Sequence, residues 1–228
     1  MGEALNEAFG LIASGDRELL AITWNSIRFS VVSTALTALL AIPTGVLLAF
    51  RRFSGRRMII SVLHTLMALP TVVVGLLVYS LLSRSGPLGP LGLLFTPPAI
   101  VIGQTVLAYP IITSLVYGSV YAMEEELRET LTTIGCSRRQ IVWKTLLEAR
   151  IAVASAVLSG FGRLIGEVGV SMMLGGNIRW YTRTMTTAIA LETQRGAFSL
   201  ALALGILLMI AAFGVNFLLN WTVHRAAR

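Results

Sequence analysis

The sequence predicts an all-α membrane protein, on three observations. Of its 228 residues, 55% are hydrophobic and 13% charged, against about half and about a quarter in an ordinary soluble domain. The apolar residues gather into five runs of more than twenty that carry few ionisable groups, each long enough at helical rise to cover a hydrocarbon core of about 30 Å. The basic residues cluster in the short segments between these runs.

Taken in order, the chain reads as one transmembrane domain over residues 1–228. Residues 1–23 hold the acids Glu3, Glu7, Asp16 and Glu18 and an apolar periodicity through Leu5, Phe9 and Ile12, which suits an interfacial helix. No cleavable leader is expected, because the first apolar run is too long for one and is preceded by acidic and neutral residues. Span one covers 27–50 and is closed by Arg51, Arg52, Arg56 and Arg57. Span two covers 58–82, followed by a Gly/Pro-rich loop over 83–98 that cannot continue a helix. Span three covers 99–120, a polar stretch covers 121–150, and span four covers 151–174. A loop over 175–197 leads to span five at 198–222. Prolines fall inside three spans, at Pro43, Pro70 and Pro110, and span four carries Gly160, Gly162, Gly166 and Gly169. Such residues either let helices pack closely or break a helix beside a cavity. No repeat long enough to argue an inverted-repeat transporter is present.

Orientation follows from the basic residues. With the C-terminus inside, the cytoplasmic side collects Arg51, Arg52, Arg56, Arg57, Arg128, Arg138, Arg139, Lys144, Arg150, Arg225 and Arg228, against Arg17, Arg28, Arg84, Arg179, Arg183 and Arg195 outside. The excess places the C-terminus in the cytoplasm and, with five spans, the N-terminus outside. The net charge of +7 is therefore a membrane-orientation signal, and without a basic stripe interleaved with aromatics no nucleic-acid partner is expected. Cys136 is the single cysteine and His64 and His224 stand apart, so neither a disulfide nor a metal site is expected.

Residues 124–150 predict two short amphipathic helices joined at a turn. Leu127, Leu131 and Ile134 share a face, Gly135 offers a left-handed helix end, and Ser137 with Gln140 forms a capping box for a second helix carrying Ile141, Trp143 and Leu147. The product is a helix–glycine–helix elbow on the cytoplasmic side; a long loop lying on the bilayer is the alternative.

The spacing of Glu129, Gly135 and Leu147 resembles the cytoplasmic coupling loop of ABC importer permeases, whose pattern is Glu-Ala-Ala…Gly…Ile-x-Leu-Pro. Here Thr130 and Leu131 replace the alanines, Thr145 the isoleucine and Glu148 the proline. Gly166-Glu167-Val168-Gly169 and Leu174-Gly175-Gly176-Asn177-Ile178 resemble the corresponding run in permeases for molybdate, tungstate and sulfate. The stretch 181–193, with Met67-Ala68-Leu69-Pro70 and the segment 83–89, is similar to the tungstate branch.

That resemblance implies a MetI-like ABC importer permease bundle in the inner membrane. It further implies a homodimer joined to two ATPase subunits that hold ATP and Mg, and a periplasmic or lipoprotein binding protein that delivers tungstate, or alternatively molybdate or sulfate. This chain would then be no enzyme and would carry no cofactor. In agreement, its only lysine, Lys144, lacks the glycines of a phosphate-binding loop. Glu129, Leu131 and Gly135 are the expected coupling residues, with Arg138 and Arg139 as ionic contacts to the ATPase.

Other candidates come from the residues themselves. Arg163 and Glu167, four apart within span four, predict either a satisfied structural pair or a group that helps an anion pass. Thr71, Gln104, Thr105 and Ser171 are uncharged polar candidates for the path or gate, with helix–helix hydrogen bonding as the alternative. Arg179, Arg183 and Arg195 mark the outer loop as a docking surface for the binding protein. A membrane-embedded enzyme would need convergent acids, histidines or a nucleophile with its base, which four of the spans almost wholly lack. An ion-driven secondary transporter would have no use for the elbow.

Overall fold

A computed structural model describes residues 2–226 of the chain. Arg228 lies outside them, as do the side chains of His224 and Arg225. Helix α1 spans Gly2–Ser14, α2 Arg17–Phe50, α3 Arg56–Met67, α4 Thr71–Leu82, α5 Pro97–Thr133, α6 Arg138–Ile165, α7 Gly169–Gly175, α8 Met185–Gln194 and α9 Phe198–Ala226, with a 3-10 turn at Gly89–Leu91. No strand occurs among the described residues.

Asp16 starts α2 by accepting hydrogen bonds from the backbone N–H groups of Glu18 and Leu19 at 3.0 and 2.9 Å, which satisfies two of the donors a helix leaves free at its first turn. The helix of span one therefore begins ten residues earlier than the hydropathy predicts: the mixed segment 17–26 belongs to the same helix. At 34 residues, α2 is about 50 Å long and overreaches the hydrocarbon core. Helix α1 packs its fully buried Ala8, with Leu11 and Ile12, against α9, and leaves Leu5 and Phe9 exposed.

Among the described residues three helices are long and apolar enough to cross a membrane, and the number rises to five if each of two bent pairs is one span. The bent pairs put a break within the second and fourth spans, where Pro70 and the glycine-rich run stand. Helices α3 and α4 meet at 104° across Ala68-Leu69-Pro70; Pro70 has no N–H to donate, and it drives the residue before it out of the helical region. Helices α6 and α7 meet at 61°. There the side chain of Glu167 accepts from the Val170 N–H at 3.2 Å, offering the backbone a local partner in place of the helix.

Helix α5 is the hub of the bundle, packing on α2, α3, α4, α6 and α7 through Leu107, Ala108, Ile112, Val116 and Val120. Close approach depends on small residues. A Cβ at Gly45 would lie 2.8 Å from Val116, and one at Gly160 2.5 Å from Ile112. Short α7 fits a slot between α4 and α5 where a Cβ at Gly75 would lie 3.3 Å from Met173 and one at Gly103 2.2 Å from Leu174. The packing explanation therefore holds for Gly160 and Gly169 within the glycine-rich span; Gly166 faces open space.

Candidate functional site: elbow, broken helices and outer loop

The elbow is built by local interactions. Gly135 has φ +82°, a conformation open to glycine at little cost, and the N–H groups of Cys136 and Gly135 donate to the carbonyls of Leu131 and Thr132, both at 3.0 Å. This pair of bonds closes the C-terminus of α5 as a Schellman motif. Two residues on, the Ser137 N–H donates to Gln140 Oε1 at 2.7 Å and the Gln140 N–H to Ser137 Oγ at 3.4 Å, completing the capping box of α6. The two expected short helices are in fact the ends of α5 and α6, so the elbow is joined rigidly to two long helices. At its apex Ile134 is 72% exposed and Trp143 65%, and Glu129 and Leu147 are also exposed while Leu131 is half-buried.

Arg138 and Arg139 line a cleft with Arg51 and Arg52, which puts both basic clusters at one end of the bundle. The neighbouring Arg56 is held differently: its Nε donates to the Leu48 carbonyl at 2.7 Å, and its guanidinium lies over the Tyr117 and Tyr121 rings at 5.4 and 5.1 Å.

The two helix breaks touch. A Cβ on Gly169, the first residue of α7, would sit 2.8 Å from Thr71 Oγ1 and 3.0 Å from the Val72 N at the start of α4. Arg163 Nη1 reaches Glu167 Oε2 at 2.8 Å, with the arginine side chain 44% exposed and the glutamate 2%. The pair forms as expected, but Glu167 lies in the break and not on the helical face of Arg163. Its backbone carbonyl also accepts from Thr186 Oγ1 at 2.8 Å, so this one residue joins α6, α7 and α8. Ser33 Oγ donates to Gln104 Oε1 at 2.9 Å and Gln104 Nε2 to Ser171 Oγ at 3.3 Å. Gln104 and Ser171 are thus buried links between α2, α5 and α7. Thr105 Oγ1 is buried and has no hydrogen-bond partner among the described residues, and Thr71 is half-buried at the first position of α4.

At the opposite end the loop between α7 and α8 is closed by charge. Arg179 bonds Glu18 through both Nε, at 2.8 Å, and Nη2, and these bonds raise its pKa above the ordinary arginine value. Arg183 lies 3.3 Å from Glu18 and 3.5 Å from Glu192, and Arg195 shares Glu192 at 3.5 Å. Arg183 is 7% exposed. That corrects its expected place on a docking surface: a buried, doubly paired guanidinium is a brace. Arg179 and Arg195 reach solvent but are already neutralised. Asn177, at φ +51°, exchanges hydrogen bonds with Thr187, donating to its carbonyl at 3.3 Å and accepting from its Oγ1 at 3.0 Å, and Ser26 on α2 accepts from the Met185 N–H at 2.6 Å.

Residues 41–228 match the family described as binding-protein-dependent transport system inner membrane component. The chain belongs to this family of membrane permeases. The permease is 39% identical over 214 residues to a probable anion ABC transporter permease protein of Haloferax volcanii, covering 90% of this chain and 92% of that one. It is 37% identical to the tungstate uptake system permease protein TupB of Campylobacter jejuni, covering 91% of each. Against the protein of that name from Peptoclostridium acidaminophilum it is 35% identical, covering 95% of each. Its fold matches a chain of the MetNI methionine ABC transporter in inward-facing conformations, with a TM-score of 0.73 over 92% of this chain and 97% of that one at 19% identity.

Sequence reasoning on the permease found the arginines of the outer loop but missed their partners Glu18 and Glu192, and with them Ser26, Ser33 and Asn177. A charge balance would have found the acids: three arginines stand in one loop, and the acids expected on that side are few.

Proposed function

We propose that this permease carries a tetrahedral dianionic oxyanion, tungstate first, through a homodimer of this chain driven by two ATPase subunits that bind ATP and Mg. A periplasmic or lipoprotein binding protein would deliver the anion, and this chain would hold no cofactor and perform no hydrolysis. The observation that carries the reading is similarity over more than nine-tenths of the chain to permeases named for tungstate uptake, alongside a weaker similarity to permeases named for sulfate and molybdenum. The whole chain acts as one membrane domain, its N-terminus outside and its C-terminus cytoplasmic. The single basic end formed by Arg51, Arg52, Arg138 and Arg139 favours that orientation.

In this reading the elbow is the lever. Ile134, Trp143 and Leu147 offer an exposed apolar surface to the ATPase beside Glu129, and Leu131 and Gly135 set the angle at which α5 ends. Because the elbow continues into α5 and α6, movement at the ATPase acts on both long helices as rigid bodies. The contact of the breaks at Thr71 and Gly169 is the constriction, and the exposed flank of Arg163 meets the anion while Glu167 limits how tightly it is held. Elemental analysis of cells with and without this chain tests the substrate: selective loss of tungsten accumulation is expected, whereas loss of molybdenum or sulfate uptake alone overturns tungstate. For the path, Arg163→Gln is expected to lower uptake while the complex with the ATPase still assembles; failed assembly would assign Arg163 to structure alone.

A further inference from the structure

We propose that the cleft between the end of α2 and the start of α6 binds the headgroup of an acidic phospholipid. The cleft has a volume of about 800 Å³. Val46, Leu47, Phe50 and Val142 supply an apolar wall, and the guanidiniums of Arg51, Arg52, Arg138 and Arg139 surround it.

No carboxylate lines this cleft, and none of the four arginines has an ion-pair partner among the described residues. Other arginines are paired: the loop between α7 and α8 uses two glutamates for three of them, and Arg56 is spent on a carbonyl and two tyrosine rings. The nearest acids adjoin the cleft without lining it: Glu124, Glu125 and Glu129 share a neighbouring cleft with Arg52, Glu124 shares another with Arg138, and Glu124 is already paired with Arg128 at 3.4 Å. Like charges gathered without a counter-charge repel, and they are stable together when an anion sits among them.

The depth of the cleft selects the anion. The apolar run of α2 ends at Phe50 and Arg51 is its C-cap, so the arginines lie where acyl chains give way to headgroups, with Leu47 half-exposed just below. A soluble phosphate would satisfy the guanidiniums and leave the apolar wall wet. A phospholipid satisfies both, its phosphate against the arginines and its chain against Val46 and Leu47. Such a lipid would bridge the α2–α3 connection and the first turn of α6, bracing the elbow from behind. This goes beyond the transport reading and does not depend on the substrate. It withdraws Arg138 and Arg139 from the expected ATPase contact, so lipid binding and ATPase assembly fail independently.

Native mass spectrometry of the full-length chain in detergent, with phosphatidylglycerol or phosphatidylcholine added and neither ATP nor oxyanion present, tests the proposal. Phosphatidylglycerol should be retained in preference, and R51Q/R52Q should lower that retention roughly tenfold or more, with R138Q/R139Q acting from the other wall and R51K/R52K keeping most of it. Equal retention of the two lipids, or unchanged retention in both glutamine variants, overturns the proposal. Displacement of the lipid by inorganic phosphate alone also overturns it, by assigning the cleft to a soluble anion.

Discussion

The elbow at Ile134–Ser137 and the outer loop between α7 and α8 both turn the chain between helices, yet they are held by opposite means. Every hydrogen bond that shapes the elbow runs between residues at most five apart: Cys136 to Leu131, Gly135 to Thr132, Ser137 with Gln140. The loop between α7 and α8 has local bonds too, such as Ile178 N–H to Thr182 Oγ1, but it is tied down by partners far away in sequence. Glu18 reaches Arg179 and Arg183, and Asn25 and Ser26 bond the loop backbone at Tyr181, Arg183 and Met185. A locally determined turn can leave its apolar side chains uncovered, as Ile134 and Trp143 are, and keep its shape while a partner engages them. A turn shaped by the tertiary structure has its polar groups committed inward and resists deformation.

Three substitutions test that contrast, in falling order of effect. Arg183→Met removes the shared partner of Glu18 and Glu192 and should cost about 3 kcal/mol, the scale for breaking a buried ion pair. Thermal unfolding of the purified protein should fall accordingly while ATPase assembly at the far end survives; an unchanged melting temperature would mean that the outer loop, too, is held locally. Gly135→Val forces a β-branched residue to φ +82°, a strain of about 1–2 kcal/mol. With open space around a Cβ there, the protein should insert normally and lose the coupling of ATP hydrolysis to uptake. Normal coupled uptake by this variant would sink the lever. Ser137→Ala deletes one capping bond worth about 1 kcal/mol, and should raise hydrogen exchange in the first turn of α6 with little change in melting temperature. A drop as large as that of Arg183→Met would show that the elbow is built into the global fold.

The elbow was readable because its determinants are neighbours: a glycine after an apolar face, then a serine and a glutamine at capping-box spacing. The spans were readable because hydrophobic length is a local property. Hydropathy does not register helix continuity, which is why 58–82 and 151–174 read as single spans although Pro70 and Glu167 divide them. It also missed that the elbow helices belong to α5 and α6, since polarity changes at the membrane surface while the backbone hydrogen bonding runs on. Gln104 and Ser171 were recognised as polar residues in the membrane, but only packing could show that they bond to each other.

By itself the sequence determined the helical class, the span candidates, the elbow and the kinship to ABC importer permeases, each written in hydrophobic period, glycine placement or motif. The tertiary structure decided which polar groups meet: the two helix breaks at Thr71 and Gly169, the Glu18–Arg183–Glu192 brace, and the unpaired arginines gathered around one cleft. Those pairings join residues up to 165 positions apart, and charge complementarity at such separations is fixed only when the helices that carry the charges have packed.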